Sequence, residues 1–436
     1  MRVTLLNLFA RYGGAETCVR NLLRGLLDRG HTVRLLVGRR GTAPSLPEEH
    51  VALLPRFYPE VVLQLVLSRL GGLTETTLLL PLWLASRHPD FTEADVVHGH
   101  ILNGSYWNLW ALPLLARKTP IVLTLHDMWL MTGGCDHSEA CQRWRDRCGA
   151  CPMMQRPWRR RNSVGWRDLT RLNLAIKRRV FRCVPVDRLV VVSPSRWLAS
   201  LAADSCLGRF RIEVIPNGVD LDAFAPGDQA EARRALGLPA AGKLFLAVAG
   251  NWGNPHKGGE LLLPLAQALA ADGVGRLVVA GRIEESLADR LRAAAALVIP
   301  EVHDPARLRR LFIAADNSLL LSRNENFPYV VSESLACGRP VIARAVGGVR
   351  EMIADGVTGY CLPAAAGVAE FVAAARRWAS LTPADVQAQR QAARRWAEDR
   401  FALRKMVESY EGVYAGLVAQ RNDKVPTTLP RPRQAA

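Results

Sequence analysis

No stretch of this 436-residue chain is apolar for long enough to cross a bilayer, which takes roughly 20 uninterrupted residues. The most apolar region, Val61 to Ala85, is broken by Arg69, Gly71, Gly72 and Glu75. It reads either as a pair of buried helices or as a helix pair that lays one apolar face on a membrane surface. Also missing is the apolar core of a cleaved leader, because Met1 to Ala10 is short and strand-like and runs straight into Arg11 and Gly13-Gly14. The expected location is therefore cytoplasmic. Acidic residues are in deficit, 40 against 57 Lys and Arg, which leaves a formal net charge of +17. The imbalance concentrates between Arg143 and Arg188, where fourteen Lys and Arg face three Asp. Trp158-Arg-Arg-Arg and Lys177-Arg-Arg-Val-Phe-Arg mix cations with aromatics. That composition suits a solvated face, the anionic headgroups of an inner membrane leaflet or, as the weakest of the three, nucleic acid.

Five of the nine cysteines, Cys18, Cys183, Cys206, Cys337 and Cys361, are scattered and read as small apolar residues in a reducing compartment. The other four, Cys135, Cys141, Cys148 and Cys151, crowd into C-x5-C-x6-C-x2-C. Four thiolates at this density complete a closed tetrahedral zinc site. An iron-sulfur cluster and free or redox-paired thiols are the other readings.

The length suits two large domains. Strand-like runs at Arg2 to Leu8, His31 to Val37, Asp95 to His98, Pro120 to Thr124 and Leu189 to Val192 alternate with helical patterns such as Ala15 to Arg29. The theme repeats at Leu244 to Ala249, Leu277 to Ala280, Leu297 to Pro300, Ser318 to Ser322 and Val341 to Ala343. Such alternation predicts two parallel, doubly wound Rossmann-like sheets with a cleft between them. Ile215-Pro-Asn-Gly-Val-Asp-Leu-Asp, with its Asn217-Gly218 turn, sets the boundary, so the domains expected are 1–218 and 219–395. The first would hold the cysteine loop (135–151) and the basic segment (143–188). A helix over 396–420 and a disordered tail over 421–436 complete the chain.

The most informative stretch is Ser-Arg-Asn-Glu-Asn-Phe-Pro-Tyr-Val-Val-Ser-Glu, which sets Glu325 and Glu333 eight positions apart. A buried strand, Ser318 to Ser322, precedes it, Pro328 sits where a first helical residue tolerates a missing N–H, and Gly338 ends the helix that begins near Tyr329. Glu325 is thus on a loop and Glu333 inside a helix. The free N–H groups from Asn326 to Val330 make a ready anion site, and carboxylates beside it suit a ligand with hydroxyls next to phosphates. A sugar nucleotide is such a ligand. Lys257, in the loop after a strand, is placed to neutralise a leaving diphosphate. Gly13 and Gly14 open a helix after the first strand, where backbone can approach a phosphate. His126 and Asp127 end a strand at the side where open parallel sheets bind ligands, and His98 and His100 end the strand before it.

The glutamate stretch, with Phe327, Pro328, the Ala-Cys-Gly-Arg-Pro-Val turn and Gly347-Gly348 in register, resembles the E-x7-E region of the retaining, family 4 type glycosyltransferases of the GT-B fold. The resemblance implies that Glu325 lies near the donor sugar, that Glu333 holds the nucleotide ribose, and that Asn326, Phe327, Pro328, Tyr329 and Val330 bind the donor. It implies that Gly13 and Gly14 face the donor phosphates and that His126 lies near the reacting sugar, making His126, Glu325 and Lys257 the catalytic set. From their place at the strand ends, His98 and His100 read either as lining an acceptor pocket together with Asp127 or as core or capping histidines. The family's diphosphate-gripping Arg is here Asn251, so either Arg282 or His256 covers the missing charge or the donor is held more weakly. The terminal helix would cross back to the first domain. His-Asp-Met-Trp, Thr-Gly-Gly-Cys, the four-cysteine loop and Pro-Ser-Arg-Trp at 194–197 are similar to the subset that builds bacterial exopolysaccharides of the colanic-acid type. The implied activity is transfer of a hexose from a UDP- or GDP-sugar to a lipid-linked saccharide, with retention, no catalytic metal and an anionic membrane surface as partner. Asp220-Leu-Asp222 is not taken as a metal-binding triplet. The rivals are a nucleic-acid-binding protein with a zinc knuckle, which would leave the glutamate stretch without purpose, and a sugar-nucleotide epimerase of the same fold.

Overall fold

The computed structural model describes residues 1–10, 13–39, 48–71, 78–155 and 168–423. Its first half is a sheet of seven strands: β1 (Arg2–Phe9), β2 (Thr32–Arg39), β3 (Val51–Leu53), β4 (Val96–Gly99), β5 (Ile121–Thr124), β6 (Leu189–Ser193) and β7 (Arg211–Val214), in the order β3-β2-β1-β4-β5-β6-β7. The second half is a sheet of six: β8 (Leu244–Asn251), β9 (Arg276–Arg282), β10 (Leu297–Ile299), β11 (Asn317–Leu320), β12 (Val341–Arg344) and β13 (Gly359–Leu362), ordered β10-β9-β8-β11-β12-β13. Every pairing is parallel. The central strands are apolar on both faces because helices cover both, and each sheet has one core cluster per side.

In each sheet the chain starts near the middle, moves to one edge, and returns to build the other. The strand order reverses between β1 and β4, and again between β8 and β11. Those switch points open a crevice at the carboxyl ends of the strands. Residues just past β1, β4 and β5 therefore meet residues just past β8, β11 and β12. Sequence reading did not find β3, β7 or β13, each an edge strand of three or four residues that is incompletely buried.

The last segment forms two helices rather than one. Pro383–Arg400 packs on the second domain, where Ala393 and Ala397 join its core and Trp396 Nε1 donates to the Met352 carbonyl. The crossing helix begins later than expected, at Leu403, and runs to Asp423. Between them the returning chain lies beside the outgoing one, since Val219 N–H donates to the Phe401 carbonyl (2.7 Å) and Leu403 N–H to the Val219 carbonyl (3.0 Å). The crossing helix then buries Tyr410, Val413, Tyr414 and Leu417 against the first sheet and against the helix Gly14–Asp28. Gly25 lets the two helices touch, because a Cβ there would strike Val407.

The region Val61 to Ala85 is not a buried pair. In the helix Tyr58–Gly71 the apolar Tyr58, Val62, Leu63, Leu65 and Val66 are exposed, and so is Trp83 of the helix Leu80–Arg87. No helix among the described residues is long and apolar enough to cross a membrane. Nor is the basic segment all surface. Lys177 is 1% exposed and donates to the Trp129 and Thr132 carbonyls, and Arg178 donates to the Trp144 and Arg145 carbonyls. Arg159, Arg160 and Arg161, and the tail from residue 424, lie outside the described residues.

Two tyrosines fix the crossing helix chemically. Tyr414 Oη is 2.7 Å from His98 Nδ1, and Tyr410 Oη is 2.9 Å from Thr124 Oγ1. Tyr414→Phe would leave His98 Nδ1 unpartnered in a sealed site, a loss of about 1–3 kcal/mol. Equilibrium urea unfolding checks this, and unchanged stability would show that the hydroxyl does not hold the helix.

Candidate active site

The second domain presents a cation and a carboxylate from two adjacent strands. After β8 a short turn, Pro255–Lys257, is capped by Asn254 Oδ1, which accepts the His256 N–H. It closes on Gly258 at φ 74°, where any side chain would strike the Leu321 carbonyl at the end of β11. That close approach brings Lys257 Nζ to 2.6 Å from Glu325 Oε1. Arg323 N–H donates to the His256 carbonyl (2.8 Å), and Asn324 Nδ2 lies 3.0 Å from His256 Nδ1. Gly347 and Gly348 support this loop from behind, since a Cβ on the first would meet the Glu325 carbonyl and one on the second the Asn326 carbonyl and Ser195.

The first domain answers with three histidines in a row. His126, past β5, has Nε2 3.0 Å from His100 Nδ1, so one imidazole donates and the other accepts. The His100 ring lies tilted against that of His98 with ring centroids 4.1 Å apart, and His98 Nε2 is 2.7 Å from Thr124 Oγ1. Burial holds all three neutral: it pushes His126 down to about 4 and, aided by the neighbouring His126, His98 to about 3, and with its histidine neighbours it drives His100 well below the ordinary imidazole range. His98 is sealed inside this network and bonded at both nitrogens, so the expectation that it lines an acceptor pocket gives way to a structural role. A small recess past β4 and β5 is lined by His100, Asn103, His126, Asp127 and Trp129. Asp127 Oδ1 accepts the Trp129 N–H (2.8 Å), while burial and then Asp136 raise its carboxyl to about 7.

Asn326 joins the two halves. Its Oδ1 accepts from Ser195 Oγ at 2.6 Å, and its Nδ2 donates to the carbonyls of Leu125 (3.3 Å) and His126 (3.4 Å). Glu351 reinforces the join by accepting the Arg196 and Trp197 N–H groups at the start of the helix Arg196–Ala203. The neighbour of Glu325 is thus bonded to the carbonyl of His126.

Two helix N-termini converge at the same place. Gly13, at φ 139° and ψ 166°, precedes the helix Gly14–Asp28, and a Cβ on Gly14 would touch the Tyr329 ring at the start of the helix Tyr329–Ala336. Tyr329 belongs to the first domain's core cluster although it comes from the second domain. Both N-termini carry unsatisfied N–H groups and positive dipole ends. Pro328 is the N-cap rather than a helical residue. Buried carboxyls line this junction: desolvation raises Glu16 and Glu333 to about 7, and the Arg20 charge opposes both shifts.

The Glycosyltransferase Family 4 profile matches residues 12–223, and the Glycosyl transferases group 1 profile matches residues 228–396. One profile thus falls on each of the two sheets. The D-inositol 3-phosphate glycosyltransferase of Segniliparus rotundus is 37% identical over 159 residues, which are 34% of this chain and 35% of that protein. Its namesake from Mycobacterium tuberculosis (strain F11) is 40% identical over 186 residues, 40% of this chain and 37% of that protein. The chain thus spans little more than a third of the length of these curated relatives. Two solved structures share the whole fold. The sucrose-phosphate synthase from Thermosynechococcus elongatus superposes with TM-score 0.63 at 20% identity, over 96% of this chain and 99% of that one. Anabaena Alr3699/HepE in complex with UDP gives 0.65 at 17%, over 95% and 100%. The architecture is GT-B.

Of the residues named from sequence, the fold gathers Gly14, Tyr329 and Cys18 at the helix junction, and His100, His126, Asn326, Glu325 and Lys257 along the cleft. Phe327 and Val330 pack in the group 1 core behind them. Asn251 Oδ1 is spent on the Gly253 N–H (2.9 Å), and the largely exposed Arg282 pairs with Glu301 (3.0 Å), so neither joins Lys257. In the cysteine loop, burial first and then the Cys151 and Cys141 thiols raise Cys148, which shows these three as neighbours. Yet among the described residues the group of three ligating side chains whose atoms come within 4.8 Å of one another is Cys18, His100 and His126. His137, which sequence reading passed over, enters the cleft from that loop, its ring 5.7 Å from the His256 ring. Only its neighbourhood to Cys135 marks it in sequence.

Gly348 has φ −80°, so alanine there is unstrained in its backbone and meets only the crowding of Asn326 and Ser195. Gly348→Ala should cost about 1–3 kcal/mol by overpacking and loosen the domain join. Urea unfolding reads the first effect and small-angle scattering the second; an unaltered protein would show that the contact has slack.

Proposed function

We propose that this chain is a retaining glycosyltransferase that moves a hexose from a UDP- or GDP-sugar to a hydroxyl of a lipid-linked saccharide in bacterial exopolysaccharide synthesis. The observation that carries the reading is the Lys257–Glu325 pair, held against His126 by Asn326 where two helix N-termini converge. In the proposed reaction the bond between the anomeric carbon and the diphosphate oxygen breaks, and its electron pair goes to that oxygen. Lys257 and the N–H groups at the start of the helix Tyr329–Ala336 take up the growing negative charge. The acceptor oxygen bonds to the anomeric carbon from the same face and gives its proton to the departing phosphate. Glu325 and the neutral His126 orient the sugar hydroxyls, and Glu333 holds the ribose.

UDP-sugars are the first donors to screen because Anabaena Alr3699/HepE was solved with UDP, and GDP-sugars the second. Inositol phosphate belongs among the acceptors because the curated relatives carry that substrate in their names. Glu325→Ala, Lys257→Ala and His126→Ala should each lower transfer roughly 100-fold or more with the fold intact, as expected for loss of one positioned electrostatic group. Near wild-type turnover in Glu325→Ala would remove this assignment.

In the same reading the protein works at the cytoplasmic face of a membrane. The exposed Tyr58, Val62, Leu63, Leu65, Val66 and Trp83 supply an apolar contact, and the excess of Arg between residues 143 and 188 supplies charge. Each engaged cation contributes about 1 kcal/mol at an anionic surface. Vesicles with anionic lipid should bind the protein and neutral vesicles far less. High salt, or Ser at 159, 160 and 161, should erase the difference; equal binding to both would return the charge to a solvated face.

Cys135, Cys141, Cys148 and Cys151 are proposed to hold a structural zinc, a reading supported by their C-x5-C-x6-C-x2-C spacing. Elemental analysis should then find about one zinc per chain. Cys148→Ser should lose it and melt at a lower temperature, whereas a metal-free preparation of equal stability would end the idea.

A further inference from the structure

We propose that the second domain binds a small inorganic anion at the end of its sheet opposite the cleft, between the buried guanidinium of Arg339 and that of Arg390. The site is separate from the proposed transfer chemistry and does not depend on it.

Three strand beginnings set the place. Leu244 opens β8, Asp316 precedes β11, and Arg339 and Pro340 precede β12. Clefts of open parallel sheets form at the other, carboxyl ends. Asp316 is 4% exposed, and both of its oxygens are engaged: Oδ2 accepts from Arg233 Nη2 (2.9 Å) and the Leu244 N–H (2.8 Å), and Oδ1 from Arg390 Nη2 (3.2 Å). Arg233 is satisfied in turn, because its Nε and Nη1 donate to backbone carbonyls.

Arg339 is not satisfied. It is 4% exposed, and its Nε and Nη1 are buried with no hydrogen-bond partner among the described residues, as is Nε of Arg390. The root of the side chain is fixed. Arg339 N–H donates to the Ser334 carbonyl (2.9 Å), its own carbonyl accepts from Ser334 Oγ (3.0 Å), and it stands between Gly338 at φ 68° and Pro340.

Nor do the charges balance. Arg233, Arg339 and Arg390 set three positive charges around the one carboxylate of Asp316. Burial first, and then the Arg390 charge, press Arg339 down to about 10, which leaves it charged at neutral pH. A buried charge that stays ionised needs both acceptor atoms and a counter-charge. Water would answer the hydrogen bonds and leave the charge; an anion answers both. Arg390, whose side chain is 23% exposed, gives such an ion a way in from solvent. Because Arg390 belongs to the helix Pro383–Arg400 and Arg339 to the sheet, the bound ion would tie that helix down just before the crossing at Phe401.

Thermal unfolding of the full chain provides the test, in a buffer whose only anion is a bulky sulfonate, with chloride, phosphate or sulfate then titrated in. The net charge of +17 also draws anions to the surface, so the deciding quantity is the difference between wild type and Arg339→Met, which keeps an unbranched stem and removes the charge. The wild-type midpoint should rise about 1–3 °C for each tenfold increase above half-saturation, and Arg339→Met should lose most of that rise. A difference seen with chloride alone marks a halide site, and one seen with phosphate or sulfate an oxyanion site; either supports the proposal. Equal responses in wild type and Arg339→Met to all three, or no response in wild type, would overturn it. If the Met variant does not fold, Arg339→Gln, which keeps donors without the charge, decides by the same criterion.

Discussion

A single side-chain amide governs the geometry of this molecule. Asn326 is placed by a loop of the second domain, yet every hydrogen bond its side chain makes goes to the first, to Ser195 Oγ and to the carbonyls of Leu125 and His126. The amide has the donors and acceptor to satisfy both sides at once, which an aspartate or a serine would not. Because Glu325 and His126 are its covalent neighbour and its hydrogen-bond partner, their separation is set by this group. The glycines at 347 and 348 matter for the same reason, since the loop can reach its partners only if nothing stands behind it.

The cleft therefore combines two kinds of polar environment. On one side lies an ion pair reachable from solvent, with Lys257 one-third exposed. On the other lies a file of neutral imidazoles that ends at Tyr414 of the crossing helix. Buried polar groups are tolerable only when they are bonded, and the tyrosines of that helix satisfy the innermost histidine and Thr124. The helix thus completes a polar core that the first domain does not finish by itself. Its role in uniting the domains and its role in supporting His126 are one arrangement.

Most of the fold was legible because central parallel strands are buried on both faces and read as unbroken apolar runs, as in Leu189 to Val192 or Val341 to Ala343. The edge strands β3, β7 and β13 were not, being short and half solvated. Within the site, the placement of Glu325, Lys257 and His126 followed from local pattern: each sits just beyond the carboxyl end of a strand. What stayed hidden depends on contacts between distant parts of the chain. His98 looked like a pocket residue until Tyr414, 316 positions away, closed over it. Asn326 gave no sign of bonding Ser195, and Glu351 none of capping the helix that begins at Arg196. The exposed face of Tyr58–Gly71 was ambiguous because apolar content alone does not say which side has a neighbour.

The paired crossing at Val219 and Phe401–Leu403 has a bearing on how such proteins can be recombined. The chain leaves the first domain and re-enters it at adjacent points, so the second domain is an insertion within the first and not an appendage after it. A chimera spliced at a single junction would carry a foreign final helix, and the hydroxyls that meet His98 and Thr124 would come from the wrong parent. Grafting a different donor-binding half onto this scaffold would need two cuts, one on each strand of the crossing, with the native last helix returned to its place.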